Sequence, residues 1–138
     1  MTWTRGYVGL PWRRLGRDRK GLDCWGLCRL ALGEQRDIWL PAYDTVDRDD
    51  TAAVGAAVAS GRGSWLTVSE ADLREFDFVL LRSVVRVHGR LMSGDTHFGL
   101  AAPGHFILHV QEGGSSVLQP FGTLRHRVVE ILRHKELA

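Results

Sequence analysis

One helix-period stripe, placed early and not repeated, does most to limit what this chain can fold into. After Asp23, the residues Cys24, Leu27, Cys28 and Ala31 recur at i, i+3, i+4 and i+7, which stacks them along one side of a helix. Asp23 is a favourable N-cap and Gly33 reads as the stop, so Cys24 occupies the first turn. From Phe76 onward the apolar residues come instead in short aliphatic and β-branched runs, over 76–87, 98–101, 106–111 and 116–119, with 128–132 a last strand or a short helix. A helix followed by consecutive strands predicts an α+β fold, an N-terminal helix packed on a meandering antiparallel sheet, and not the alternating order of a parallel one.

The segments between these patterns are less informative. Residues 7–21 read as a loop punctuated by Gly9, Pro11, Gly16 and Gly21, and made basic by Arg13, Arg14, Arg17, Arg19 and Lys20. Residues 36–72 read as a mixed region peripheral to any chemistry, with Pro41 breaking helix and an alanine-rich helix over 51–60 stopped by Gly61 and Gly63. A length of 138 residues fits one domain spanning 1–138, long enough to bury a core. A formal net charge of +2 is too small for the concentrated basic face that nucleic acid requires, so no nucleic-acid partner is expected. No stretch approaches the roughly 18–20 apolar residues of a membrane span, and residues 1–6 carry no apolar run behind a basic residue. Neither a membrane partner nor export by a signal of its own is expected, which leaves synthesis in the cytoplasm.

The chemistry rests on cysteine and histidine. Cys24 and Cys28 share one side of the helix, a poor arrangement for a disulfide framework, and they miss the two-residue gap of redox and zinc-ribbon motifs. A thiol reacts as thiolate, and the first turn of a helix favours that anion through its unpaired amides and positive dipole end. Such a nucleophile needs a base, and the base needs an orienting polar group. Of six histidines, His97 and His109 fall in successive strand runs. Their even separation puts both on one face if the hairpin between them has an odd loop. A three-residue loop of Ala102, Pro103 and Gly104 would set His97 directly opposite His109. Cys24, His97 and His109 would also suit a zinc ion with an open fourth position; the expectation here is no metal and no other cofactor. His88, His105, His126 and His134 are expected to be surface or loop residues.

Three stretches together carry a resemblance: Asp23-Cys24-Trp25-Gly26-Leu27, then Thr96-His97-Phe98-Gly99-Leu100, then Phe106-Ile107-Leu108-His109. Their order and spacing resemble the NlpC-type family of papain-like cell-wall cysteine peptidases, over roughly residues 7–120. The resemblance implies Cys24 as nucleophile, His97 as base and His109 as the third member of a Cys-His-His triad. Upstream, Tyr7-Val8-Gly9-Leu10-Pro11-Trp12 is similar to the family's Tyr-x-Gly-x-Pro-Tyr segment, with Trp12 where a tyrosine lines the site. An indole donates a hydrogen bond but accepts none, so any role needing a lone pair is lost there. Trp12, Asp23 and Trp25 are the residues expected around the substrate and oxyanion, although Asp23 as N-cap should aim at the helix amides and away from the base. The family's Gly-Asp ahead of its first strand is Phe76-Asp77 here. Trp25 in place of the commoner serine, together with Leu40-Pro41, resembles the branch found in bacteriophage and prophage tails.

By that resemblance the partner is a peptidoglycan stem peptide, cut at the γ-linked D-glutamyl bond before a diamino acid, with other phage tail proteins as companions. The place of action would be the tail of a virion working on the cell wall. The basic residues from Arg13 to Lys20 would then bind stem-peptide carboxylates or simply stay solvated. Two other functions remain open on the sequence: a tail assembly protein whose peptidase site is weak or inactive, and a papain-like amidase or acyltransferase.

Overall fold

The computed structural model describes residues 2–43 and 62–138 of the chain. In chain order they give a 3-10 turn at Trp3–Gly6, a two-residue hairpin of β1 (Arg17–Asp18) and β2 (Gly21–Leu22), helix α1 (Cys24–Arg36), and strands β3 (Trp65–Thr67), β4 (Phe78–Val87), β5 (Arg90–Ala102), β6 (Phe106–His109) and β7 (Val117–Pro120). A short helix α2 (Phe121–Leu124) and strand β8 (Val128–His134) follow. The main sheet has six strands in the order β3-β8-β4-β5-β6-β7, and every pairing in it is antiparallel. Strands β4 to β7 meander; β8 then returns to the far side of β4, and β3 pairs with β8 as the opposite edge. The α+β architecture, with a cysteine-bearing helix ahead of an antiparallel sheet, is therefore the one the sequence predicts. The helix expected over 51–60 lies outside the described residues.

Alternation along the strands divides the core in two. Phe78 and Leu80 of β4, Phe98 and Leu100 of β5, and Leu108 and Val110 pack with Leu27, Cys28, Leu30, Ala31 and Leu32 of α1. Val79, Leu81, Ala101, Ile107 and Ile131, from the intervening positions, pack with Phe121 and Leu124 of α2. A sheet covered on both faces needs apolar residues at both parities, which explains why 76–87 reads as a continuous apolar run.

Several boundaries differ from the sequence reading. Helix α1 continues past Gly33 to Arg36 and ends on Asp37 in the left-handed conformation, whose N–H bonds Gly33 O at 2.9 Å. Gly33 is inside the helix because the Trp39 ring folds over it, and a Cβ there would stand 2.3 Å from that ring. Strand β5 begins at Arg90, eight residues before the expected Phe98, because His88 and Gly89, at φ 50° and 78°, form a tight hairpin turn with β4. Strand β4 starts at Phe78 and not at Phe76, since Phe76 sits at φ 73° in a turn. Residues 128–134 form a strand, pairing on both sides with β3 and β4. The 7–21 segment is not all loop, and β3 within 36–72 was not expected.

Candidate active site

The first turn of α1 is built by its neighbours. Asp23 is buried, and its Oδ1 accepts from Gly26 N at 2.8 Å, which caps the helix. The same oxygen accepts from Arg17 NH1 at 2.7 Å, and that guanidinium also donates to Gly16 O, Ala42 O and Tyr43 O. Gly26 is glycine because the Gly16 carbonyl lies against it; a Cβ would stand 2.0 Å from that oxygen. The start of the 36–72 region is thus not peripheral: Arg17 ties residues 42 and 43 to the helix start, and Trp25 Nε1 donates to Pro41 O at 2.9 Å. Arg17 is spent on the protein's own acceptors. Arg19 pairs with Glu34 at 2.7 Å, so neither keeps its fork for an incoming carboxylate.

Cys24 is 1% exposed and sits in the core that α1 shares with the sheet. Cys28, one turn on, is also buried, and the two cysteines form no disulfide. Burial pushes the Cys28 thiol well above its ordinary value of 9.0, and negative charge at Cys24 and at Asp23 pushes it the same way. Cys28 is therefore held as neutral thiol. Trp25 stands edge-on to Phe98, the neighbour of His97, with ring centroids 5.3 Å apart, and edge-on to Phe78 at 5.7 Å. The first turn of α1 and the start of the His97 segment meet at this point.

His97 follows a bulge. Leu81 pairs with His97 but Ser83 pairs with Gly94, so Asp95 and Thr96 of β5 together oppose Arg82. Such a bulge bends the strand and re-aims the residue beside it. The β5–β6 hairpin closes with Ala102 opposite Phe106, which makes the three-residue loop Pro103-Gly104-His105 and not Ala102-Pro103-Gly104. The loop is odd, as expected, so His97 and His109 keep the same parity. Its centre is one residue later, so the register continues to place His109 opposite Gly99, and His97 lies on the diagonal. The reason is that Gly104, at φ 78°, and His105, at φ 65°, supply the left-handed backbone that turns the chain, and proline cannot.

The diagonal suits the rings. His97 Nε2 and His109 Nδ1 are 2.9 Å apart, with the ring planes at 78°. Gly99 leaves room for this packing: a Cβ there would stand 2.4 Å from Ile107 Cγ2 and 3.7 Å from His109 Cβ. Both imidazoles are buried. Burial pushes His109 below its ordinary 6.5, the charge of Arg127 adds to that, and a bond to Gln119 opposes it. Sequence reasoning did not single out that bond: His109 Nε2 lies 2.9 Å from Gln119 Oε1, and Gln119 Nε2 donates to Thr123 Oγ1 at 2.9 Å. The available signal was alternation, since the β6–β7 hairpin puts Gln119 on the same face as His109.

Trp12 is held by a different set of bonds. Its backbone N–H donates to Gly114 O at 3.0 Å, Leu10 N donates to Ser116 Oγ, and Gly9 N to Ser116 O, which ties residues 9–12 to the loop after β6. The Trp12 indole Nε1 is buried and has no hydrogen-bond partner among the described residues. Tyr7 anchors the start of the same segment to α1, donating to Glu34 and accepting from Gln35. Asp77 of the altered pair takes two bonds from Arg133, each 2.8 Å, and is fully buried. His88, His105 and His126 are exposed, whereas His134 is buried, edge-on to Trp65 at 5.1 Å.

No family model matches the chain, and no curated protein does. Among solved structures, the NlpC/p60 domain of the peptidoglycan hydrolase SagA is similar, with a TM-score of 0.61 and 18% identity over 94% of this chain and 92% of that one. The chain thus has the papain-like α+β fold of NlpC/p60 domains.

Proposed function

We propose that this chain is a cysteine peptidase that hydrolyses peptidoglycan stem peptides, with Cys24 as nucleophile, His97 as base and His109 steering His97. The observation that carries the reading is the His97–His109 bond of 2.9 Å, made in the sheet on which the Cys24-bearing helix packs. An imidazole held by a second imidazole is the base-plus-orienter unit that thiol hydrolases need. The fold neighbour is a domain of a peptidoglycan hydrolase, which supports a cell-wall substrate. The γ-D-glutamyl bond, and a setting in a phage or prophage tail, rest on the sequence resemblance.

In the proposed reaction the Cys24 thiolate attacks the substrate carbonyl, forming a C–S bond and an oxyanion near the Cys24 backbone amide. His97, now imidazolium, gives its proton to the amine as the C–N bond breaks. Water, losing a proton to His97, cleaves the thioester and returns the thiol. His109 stays neutral so that it can accept from His97, and its burial favours that state. Purified peptidoglycan treated with the protein should release fragments identifiable by mass, and Cys24→Ala should release none; undiminished release by the variant would remove Cys24 from the mechanism.

A second reading, an assembly protein with an inactive site, has observations in its favour. Cys24, His97 and His109 are 1%, 2% and 1% exposed, which leaves little of the thiol or of either ring open to a substrate. Iodoacetamide near neutral pH separates the two readings. An activated pair requires Cys24 to label far faster than Cys28 and to slow in His97→Ala; equal, slow labelling would favour the assembly role.

A further inference from the structure

Three side chains on three adjacent strands fall on one straight diagonal. Continuing the Leu100–Leu108 pair by one residue sets His109 of β6 opposite Gly99 of β5, and His109 pairs with Val117 of β7. His97 lies two residues before Gly99, and Gln119 two residues after Val117. Because β5 and β7 run in the same direction, His97, His109 and Gln119 line up across the sheet, each within bonding distance of the next. The line continues through Thr123 of α2, whose hydroxyl donates to Pro120 O at 2.8 Å.

Hydrogen accounting along this line selects one arrangement. A backbone carbonyl only accepts, so the single hydroxyl hydrogen of Thr123 is committed to Pro120 O. Towards Gln119 the Thr123 oxygen can then only accept, so the Gln119 atom facing it is the amide nitrogen. The other end of that amide is therefore oxygen, which requires His109 Nε2 to carry hydrogen. A neutral imidazole has one N–H, so His109 Nδ1 is a lone pair, and His97 Nε2 must be the donor to it. His97 Nδ1 is left as that ring's one basic site.

We propose that Gln119, held by Thr123, is a positioning residue that fixes the tautomer of both histidines and so selects Nδ1 of His97 as the nitrogen that takes the thiol proton. This rests on the peptidase reading for its consequence in catalysis, but the tautomers themselves do not depend on any substrate. The signal runs from a backbone carbonyl at the start of α2, through a hydroxyl, a carboxamide and two imidazoles. Gln119 touches no reacting atom. In its absence, the buried Nε2–H of His109 would have no acceptor, and the ring would gain by moving its hydrogen to Nδ1. That hydrogen would face His97 Nε2, which could then only accept, so His97 would present an N–H where a base is needed.

The test uses the full-length protein and Gln119→Met, Gln119→Glu and Thr123→Val. Nitrogen-15 spectra of the imidazoles should show His109 as the Nε2–H tautomer in the parent and Nδ1–H in Gln119→Met. Alkylation of Cys24 by iodoacetamide, and kcat on stem-peptide fragments, should each fall about tenfold in Gln119→Met with KM little changed, the size expected when a buried N–H loses its acceptor. Gln119→Glu keeps the acceptor oxygen and should retain the Nε2–H tautomer. Its charge favours the His109 imidazolium against Arg127, so the acid limb of its pH profile should move to higher pH. Thr123→Val, which leaves Gln119 in place but free to turn over, should show a smaller loss of about threefold, on the scale of one neutral hydrogen bond. An unchanged tautomer and alkylation rate in folded Gln119→Met overturns the proposal. A parent protein that is inert towards peptidoglycan, but whose tautomer and Cys24 reactivity respond to Gln119→Met, overturns the substrate assignment and leaves the relay standing.

Discussion

Replacing Asp23 in two ways separates what its carboxylate does for the helix from what it does for Arg17. In Asp23→Asn the amide oxygen can still accept from Gly26 N, and asparagine caps as well as aspartate, so the capping contribution of about 1 kcal/mol is retained. What is lost is the charge facing Arg17, whose side chain is 14% exposed against 6% for Asp23. The Arg17 bond to an amide oxygen keeps its ionised donor and so stays charge-assisted, losing only the anion's share, so Asn should cost about 1 kcal/mol. Asp23→Ala loses the cap and the anion together. Removing one partner of a buried pair costs about 3–5 kcal/mol when nothing replaces it. Arg17 keeps the carbonyls of Gly16, Ala42 and Tyr43 as acceptors, which places the alanine variant near the lower end, at about 3 kcal/mol. Urea unfolding followed by circular dichroism, with the slope m compared across variants, measures both. Equal losses for Asn and Ala would show that the cap contributes nothing. A loss under about 1 kcal/mol for Ala would show that Arg17 is satisfied without Asp23, and the structural account of the first turn of α1 would be wrong.

Phe76 occupies a left-handed position, at φ 73°, where the resembled family has glycine, yet it is buried and stacked on Trp3 with centroids 4.6 Å apart. Phe76→Gly should relieve about 1–2 kcal/mol of backbone strain but lose about 3–5 kcal/mol of burial, a net destabilisation of about 2–3 kcal/mol in urea; a neutral or stabilising result would show that strain dominates. The depressed His109 value makes a further prediction with a definite sign. Between its folded value and the ordinary 6.5 the unfolded chain binds more protons, so stability rises with pH there, is complete above 6.5, and is lost as pH falls through the folded value. Its steepest possible slope is about 1.4 kcal/mol per pH unit. Urea midpoints from pH 5 to 7 should fall less steeply in His109→Asn than in the parent, and parallel curves would refute a buried neutral His109.

Much of the arrangement was legible in the chain itself. The i, i+3, i+4, i+7 stripe after Asp23 specifies a helix with Cys24 in its first turn, because side-chain periodicity is a local property of the backbone. The same holds for the strand runs, and for the equal parity of His97 and His109, since any odd hairpin loop preserves it. Strand ends were less legible. The start of β5 at Arg90 depends on a turn at His88-Gly89, and Phe76 was read as strand because its apolar side chain says nothing of its positive φ.

Only the tertiary structure decided which groups meet. Register is set by where the turn falls. Moving the loop from Ala102-Pro103-Gly104 to Pro103-Gly104-His105 changed the partner opposite His109 to Gly99 and created the diagonal on which two rings fit. Gln119 joined that line through a separate hairpin, and Arg17 was taken out of solvent by carbonyls at Ala42 and Tyr43 that no spacing rule connects to it. Periodicity is written in neighbouring residues, whereas a hydrogen bond between strands depends on how distant backbones come to lie side by side, and that is settled when the whole sheet closes on α1 and α2.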